Sequence, residues 1–404
     1  MIHINNNFKV NFQEKYFKVI YSSFLAENIE NFFKSYPQLH NRFGRFLSDS
    51  NLKNILLTKP SDMHKVVTEF FSKVPELYEF THANLYLRDV SIPGFDFKNF
   101  DFRVKLNQKS FDESLNKLKS NLRKIKVRSC IIRWALMKLN TLARNSESKL
   151  IYEQLMALVD GKRTYVIKDV FPDWVYDFIK IFDYSKLPKD LSYNVIAELG
   201  IGVCPYCNEN NIYNSFSGQK SYRSELDHFF PKSKFPFLAL SLYNLIPACN
   251  ICNGPLKGNY DTFHNKAAYP YLIGVNDKPL FKVDIGDVGA CGEKVTEDDI
   301  SIKVLKLNNE IDLNITLFDI QQRYNHLDFK IWSRQYLELK DTLDSLNLQK
   351  EDVGGIDLSI LFAGQCKSVS RNLGQNYSSL KTKHKKFSLD LYNQLFSPKL
   401  RLDD

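Results

Sequence analysis

Two Cys-x-x-Cys pairs, Cys204-Pro205-Tyr206-Cys207 and Cys249-Asn250-Ile251-Cys252, constrain this 404-residue chain more than any other feature. A tight turn over two intervening residues brings both sulfurs to one side, and two such turns complete a tetrahedral four-sulfur zinc site. No coordination position stays open in such a site, so the zinc is structural and its binding energy becomes folding energy. The competing reading, four free thiols paired by accident, leaves the matched spacing unexplained. Cys130, Cys291 and Cys366 bring the total to seven. An odd count argues against a disulfide framework, and the opening MIHINNNFKVNF lacks the basic-then-apolar order of a secretory signal. No run reaches the ~20 apolar residues of a membrane-spanning helix. These observations predict a cytoplasmic protein with no membrane partner.

Around the cysteines the pattern divides in three, within the two or three domains that the length suggests. Residues 1–200 read as mostly helical: 16–36 carries apolar and aromatic residues at helical spacing, and further helices follow Pro60-Ser61 and Pro172. Ser110 and Glu113 form a capping box ahead of Leu115, Leu118, Leu122 and Ile125, and CIIRWALMKLNTLA continues or restarts that helix. Gly200-Ile201-Gly202 marks a boundary, and 203–275 is dense in Cys, Pro, Asn and Gly. Beyond it, 279–285 and 300–307 alternate apolar with polar and predict two strands, before a helical pattern resumes from Asn314. The expected fold class is α+β, predominantly α-helical. A small zinc-stapled module at 203–275 lies between a helical 1–200 domain and a 276–404 region of short β-hairpin and helices.

Charge is distributed unevenly. The chain carries 55 Lys and Arg against 46 Asp and Glu, net +9. Within 101–150 thirteen basic residues stand against four acidic ones, so this segment alone accounts for the surplus. A localised positive surface is what a polyanion partner requires; a solvated basic helix face gives the same composition. Lys117, Lys119, Arg123, Lys124 and Lys126 crowd the faces away from the apolar stripe. The 203–275 module is nearly balanced in sign, so any strong grip on a polyanion falls to 101–150. A second basic cluster comprises Lys381, Lys383, His384, Lys385 and Lys386.

Between the cysteine pairs runs Glu225-Leu226-Asp227-His228-Phe229-Phe230-Pro231-Lys232-Ser233, and then Tyr243-Asn244-Leu245-Ile246-Pro247-Ala248. Asn253-Gly254-Pro255-Leu256-Lys257-Gly258-Asn259 follows the second pair. This order resembles the HNH nuclease family, whose ββα-metal finger is often held by two such cysteine pairs. The resemblance covers 203–275 and extends more weakly to the Leu-Lys-Leu-Asn-Asn at 305–309. It implies metal-dependent hydrolysis of DNA phosphodiester bonds.

That reaction needs a nucleophilic water, stabilisation of the crowded phosphate and charge compensation on the leaving oxygen. His228 suits the general base, because imidazole titrates near neutrality. Asp227 offers a hard oxygen to Mg²⁺, or Mn²⁺ in its place, and Asn253 a neutral amide oxygen. Lys257, four residues on, would share a helix face with Asn253 and hold the phosphate. By the family likeness Asn244 orients the loop carrying His228. Each role has a plainer rival: a structural histidine, a turn-capping aspartate, a helix-capping asparagine, a solvated lysine. Where many members place a third histidine this chain has Asn253, as other members do. His264 is a candidate replacement ligand or a surface residue.

The placement of the finger inside a larger helical protein is similar to bacterial anti-phage effectors, including nuclease subunits that work with an ATPase in Septu-like systems. It implies double-stranded DNA as substrate and an ATPase or other defence subunit as partner. Two alternatives stand beside it: a zinc-stapled nucleic-acid-binding protein with an inactive centre, and a stand-alone restriction-type endonuclease reading its target through 1–200.

Overall fold

Apolar residues spaced by four along Phe12, Tyr16, Ile20 and Phe24 form the buried stripe of the first long helical stretch. It starts at Val10 rather than Tyr16, widens through one π-type turn at Tyr21–Leu25, and continues as Ala26–Ser35. Pro37 follows its end, where Tyr36 leaves helical geometry. The computed structural model describes residues 2–5, 8–95, 97, 101–125, 129–141, 145–160, 170–217, 220–275, 278–286, 295–345 and 384–396. Among these, the helices expected after Pro60 and Pro172 occupy Met63–Lys73 and Asp173–Ile181. Gly200 closes the helix Lys189–Leu199 in the left-handed conformation, its N–H returning to the carbonyls of Ile196 and Ala197.

The basic helix differs from its expected start. It spans Lys105–Lys124, so Ser110 and Glu113 lie inside it and form no capping box. Phe111, Leu115, Leu118 and Leu122 are its buried face, and the helix itself begins more than a turn before Ser110. Ile125 lies just past its end. Lys117, Arg123 and Lys124 are exposed and Lys119 is half-buried, whereas Lys126 lies outside the described residues. The next helix is separate, Cys130–Thr141, and its N-terminus is held from a distance. The buried carboxylate of Glu79 accepts the Cys130 and Ile131 N–H groups at 2.8 and 2.9 Å and the Ser129 hydroxyl. A carboxylate there satisfies donors the helix cannot, and complements the positive end of its dipole.

Six short strands form three antiparallel pairs among the described residues. They are β1 Asn214–Ser217 with β2 Lys220–Arg223, β3 Glu225–His228 with β4 Leu245–Ala248, and β5 Phe281–Ile285 with β6 Ile300–Val304. In the last pair Phe281, Val283, Ile300 and Ile302 point inward in strict alternation, as the sequence pattern predicts. The helix Lys385–Phe396 covers the free edge of β5: Asp390 accepts the Leu280 and Phe281 N–H groups, and Gln394 bonds both backbone groups of Val283.

The second basic cluster is therefore not a surface patch throughout. His384, Lys385 and Lys386 are buried, and Lys386 pairs with Asp390 at 2.7 Å; Lys381 and Lys383 lie outside the described residues, as do Cys291 and Cys366. A run of cations in sequence is here partly a buried helix start. The N-terminal helices also pack directly on the cysteine-rich segment. Phe70 and Phe237 stack at 3.6 Å between ring centroids, Tyr16 donates to the Leu240 carbonyl, and Ile2 N–H to the Pro205 carbonyl.

Replacing Glu79 with Ala strands the Ser129 hydroxyl and two N–H groups. A loss of about 1–3 kcal/mol is expected, read as a lowered thermal midpoint with Glu79→Gln intermediate; an unchanged midpoint would show the cap to be dispensable.

Candidate metal centre

Each Cys-x-x-Cys pair is a turn closed by its own backbone. Asn208 N–H returns to the Cys204 carbonyl with Asn208 left-handed at φ 55°, and Asn253 N–H returns to the Cys249 carbonyl. The ligand sulfurs of Cys204, Cys207, Cys249 and Cys252 all lie within 4.8 Å of one another, and all four residues are buried. Burial pushes the Cys204 thiol up, so four thiolates persist here only with a cation among them.

The surroundings fit that cation. The Arg323 guanidinium donates to Cys252 Sγ at 3.3 Å, Asn210 Nδ2 to Cys249 Sγ at 3.5 Å, and Glu209 N–H to Cys207 Sγ at 3.5 Å. Donors aimed at sulfur belong around a zinc tetrathiolate, whose net charge is −2, and they set ligand basicity. Burial works against charge on Arg323, but Cys207, Cys252 and Glu209 hold its pKa above the ordinary value. Sequence reading missed Arg323, which reaches the cluster from 71 positions past Cys252. No spacing rule connects them.

The second cysteine turn is not a plain α-helix. From Cys252 to Lys257 it is a π-type turn containing Pro255, with Gly258 N–H reaching the Asn253 carbonyl five residues back. Proline has no N–H to give the α-helical ladder, so the turn widens. The groove-sharing helix face expected for Asn253 and Lys257 therefore does not form. Lys257 turns inward instead, 1% exposed, donating to Asp227 Oδ1 at 2.9 Å and to the His228 carbonyl at 2.7 Å. Tyr206, from the first cysteine turn, donates to the other carboxylate oxygen of Asp227 at 2.5 Å. Asp227, 2% exposed, is thus shared between the two cysteine turns.

His228 follows on β3, opposite Leu245 on β4. Its Nε2 lies 2.9 Å from the Ala239 carbonyl. A carbonyl only accepts, so Nε2 carries the proton and Nδ1 keeps its lone pair. Burial lowers the imidazole pKa to about 3, with the positive charges of Lys232 and Lys257 adding to the effect against the Ala239 bond, so the ring is neutral at physiological pH. The Tyr184 ring packs edge-on at 4.4 Å, and the Lys232 ammonium lies over that same ring, 5.1 Å from its centroid. Neither was singled out in the sequence, although Lys232 follows His228 by four residues.

Asn244 uses its whole side chain. Oδ1 accepts Phe230 N–H at 2.8 Å, while Nδ2 donates to the carbonyls of Phe230 and Leu238, both at 3.0 Å. It closes the loop after His228 at both ends. Asn253 is half-buried and donates from Nδ2 to Glu225 Oε2 at 2.7 Å, away from Asp227's partners. Asp227 and Asn253 thus form no open oxygen pair for magnesium: one carboxylate is enclosed and bonded on both oxygens. His264 is brought to neither; its Nδ1 lies 2.9 Å from Asp261 Oδ2 and its Nε2 3.1 Å from the Tyr78 hydroxyl.

Among known proteins, the chain is 33% identical over 67 residues to Septu protein PtuB of Bacillus thuringiensis. The matched stretch is 17% of this chain and spans 23% of that relative's length. No family model matches the chain, and no solved structure matches it. Among the described residues no helix is long and apolar enough to cross a membrane.

Removing the guanidinium with Arg323→Met should loosen zinc by about 10–100-fold in competition with a chromophoric chelator. Zinc retention equal to wild type would mean that the Arg323–sulfur bond does not tune the cluster.

Proposed function

We propose that this chain is an HNH endonuclease that hydrolyses DNA phosphodiester bonds in anti-phage defence, working with a partner subunit such as an ATPase. The observation that carries the reading is His228: a neutral imidazole whose Nε2 is fixed by the Ala239 carbonyl, on a strand clamped between two cysteine turns. The likeness to a Septu protein over part of the chain supports the defence setting and a partner.

In this reading Nδ1 of His228 takes a proton from water as the water oxygen bonds to phosphorus. The P–O bond on the far side breaks, and its oxygen leaves with a proton from solvent. Asn244 is a positioning residue, because it fixes the loop that follows the base. Lys257 positions β3 from beneath rather than holding the phosphate. Lys232, exposed beside Tyr184, is better placed than Lys257 to meet an anionic substrate. Dependence on Mg²⁺ or Mn²⁺ belongs to the proposal on family likeness alone, since Tyr206 and Lys257 hold Asp227.

That enclosed carboxylate favours a second reading, a zinc-stapled nucleic-acid-binding protein with an inactive centre. Supercoiled plasmid incubated with Mg²⁺ or Mn²⁺, with and without a co-expressed partner, separates the two. Wild type should cut, and His228→Ala should slow cutting by about 10²–10⁴-fold at unchanged zinc content. DNA binding without cutting under every condition would favour the second reading.

The DNA grip is assigned to the Lys105–Lys124 helix. Neutralising Lys117, Lys119, Arg123 and Lys124 together should flatten the dependence of log affinity on log salt by about 0.9 for each phosphate no longer neutralised. Unchanged affinity and slope would return these residues to a solvated face or a partner-docking role.

A further inference from the structure

His82 lies at the corner between the helices Pro75–Thr81 and Ala83–Leu87, fully buried, and the nuclease reading makes no use of it. The single proton of the Thr81 hydroxyl has the Leu77 carbonyl at 2.9 Å, the Tyr78 carbonyl at 3.3 Å and His82 Nδ1 at 2.8 Å within reach, and the helical back-bond to Leu77 leaves the hydroxyl oxygen to accept from Nδ1. With the hydroxyl turned to Leu77, the His82 proton sits at Nδ1 and Nε2 presents a lone pair. That atom is buried with no hydrogen-bond partner. It aims at Asp261 Oδ2, 3.8 Å away, across which no proton is shared. An acceptor facing a carboxylate inside a protein is an arrangement that a cation resolves.

The rest of the cluster converges on the same oxygen. Asp261 Oδ1 is occupied by the His264 backbone N–H at 3.1 Å, leaving Oδ2 to meet His264 Nδ1 at 2.9 Å. The Tyr78 hydroxyl at His264 Nε2 can donate or accept, so it tolerates either tautomer of that ring. One ligand atom from each of His82, Asp261 and His264 lies within 4.8 Å of the others. Ligand atoms around a tetrahedral zinc, bound at about 2.0–2.1 Å, stand roughly 3.3 Å apart. The separations of 2.9 and 3.8 Å straddle that value.

We infer that His82, Asp261 and His264 form a second divalent transition-metal site, distinct from the four-cysteine cluster, with zinc as its natural probe. Two imidazoles and a carboxylate suit Zn²⁺ and leave the fourth position open to water. Thr81 orients the His82 ring from behind, as outer partners of ligating histidines do. Lys234 now supplies the positive charge, its Nζ 3.3 Å from Asp261 Oδ2. Its side chain is 20% exposed, so it has a route to solvent when a metal takes its place. The site would clip the N-terminal helices to the segment that follows the second cysteine turn.

The full chain, equilibrated with excess zinc and desalted, should retain two zinc ions. His82→Ala with His264→Ala should retain one, with the thiolate-to-metal absorption of the cobalt-substituted four-cysteine site unchanged. That absorption also certifies the fold of the variant. One zinc in wild type, or two in the double variant, would overturn the site. Lys234→Gln removes a competitor and no ligand, so zinc should bind the second site more tightly; unchanged or weaker affinity would likewise count against it.

Discussion

The carboxylate of Asp227 is the point on which the cysteine-rich module closes. It lies almost wholly out of water, and its oxygens take the Tyr206 hydroxyl and the Lys257 ammonium. Tyr206 sits inside the first cysteine turn and Lys257 ends the second, so the turns that meet at the four sulfurs meet again at this carboxylate. The two closures support each other. Without the cluster, Tyr206 and Lys257 have no reason to converge; without Asp227, Lys257 is a buried ammonium with only a carbonyl for company. Breaking one side of such a pair costs about 3–5 kcal/mol, because the remaining charge stays buried and uncompensated.

That platform explains the state of the neighbouring histidine. His228 is next along β3, its own carbonyl held by Lys257 and its ring by Ala239 and Tyr184. The same burial that keeps the ring neutral also lowers its proton affinity, which by itself makes a weak base. An anionic phosphate seated against the ring would act in the opposite direction, since a nearby negative charge favours imidazolium. The free protein therefore holds its histidine unprotonated, and on the proposed reading its basicity would rise as the phosphate binds. The proposed nuclease chemistry is thus coupled to substrate binding by electrostatics alone.

Much of this was legible in the chain. The cysteine spacing placed four sulfurs together, and the alternation in 279–285 and 300–307 marked β5 and β6. Local rules failed where tertiary partners decide. Ser110 and Glu113 match a capping pattern, but Phe111 packs inside a helix already begun at Lys105. Lys257 and Lys386 are charged residues that nothing in the sequence marks as buried, and each is buried where a carboxylate meets it. Arg323, Glu79 and His82 carry no motif. Their partners are brought near only by tertiary packing, Arg323 and His82 against the cysteine-rich segment and Glu79 between N-terminal helices.

Two aspartates in this region hold a lysine where a metal-binding carboxylate would hold a cation, and they are not equivalent. Lys257 is enclosed and has a second acceptor in the His228 carbonyl, so releasing Asp227 strands an ammonium without water. Lys234 reaches Asp261 from the surface, and its release costs only an exchange of one counter-charge for solvent. Asp261 also faces imidazole nitrogens on two sides, whereas Asp227 faces a phenol and an ammonium. Oxygen with nitrogen is a donor set for a transition metal; a carboxylate already neutralised by buried donors is a structural tie. By this comparison, Asp261 is the carboxylate more open to a cation, and Asp227 serves first to hold β3 in place.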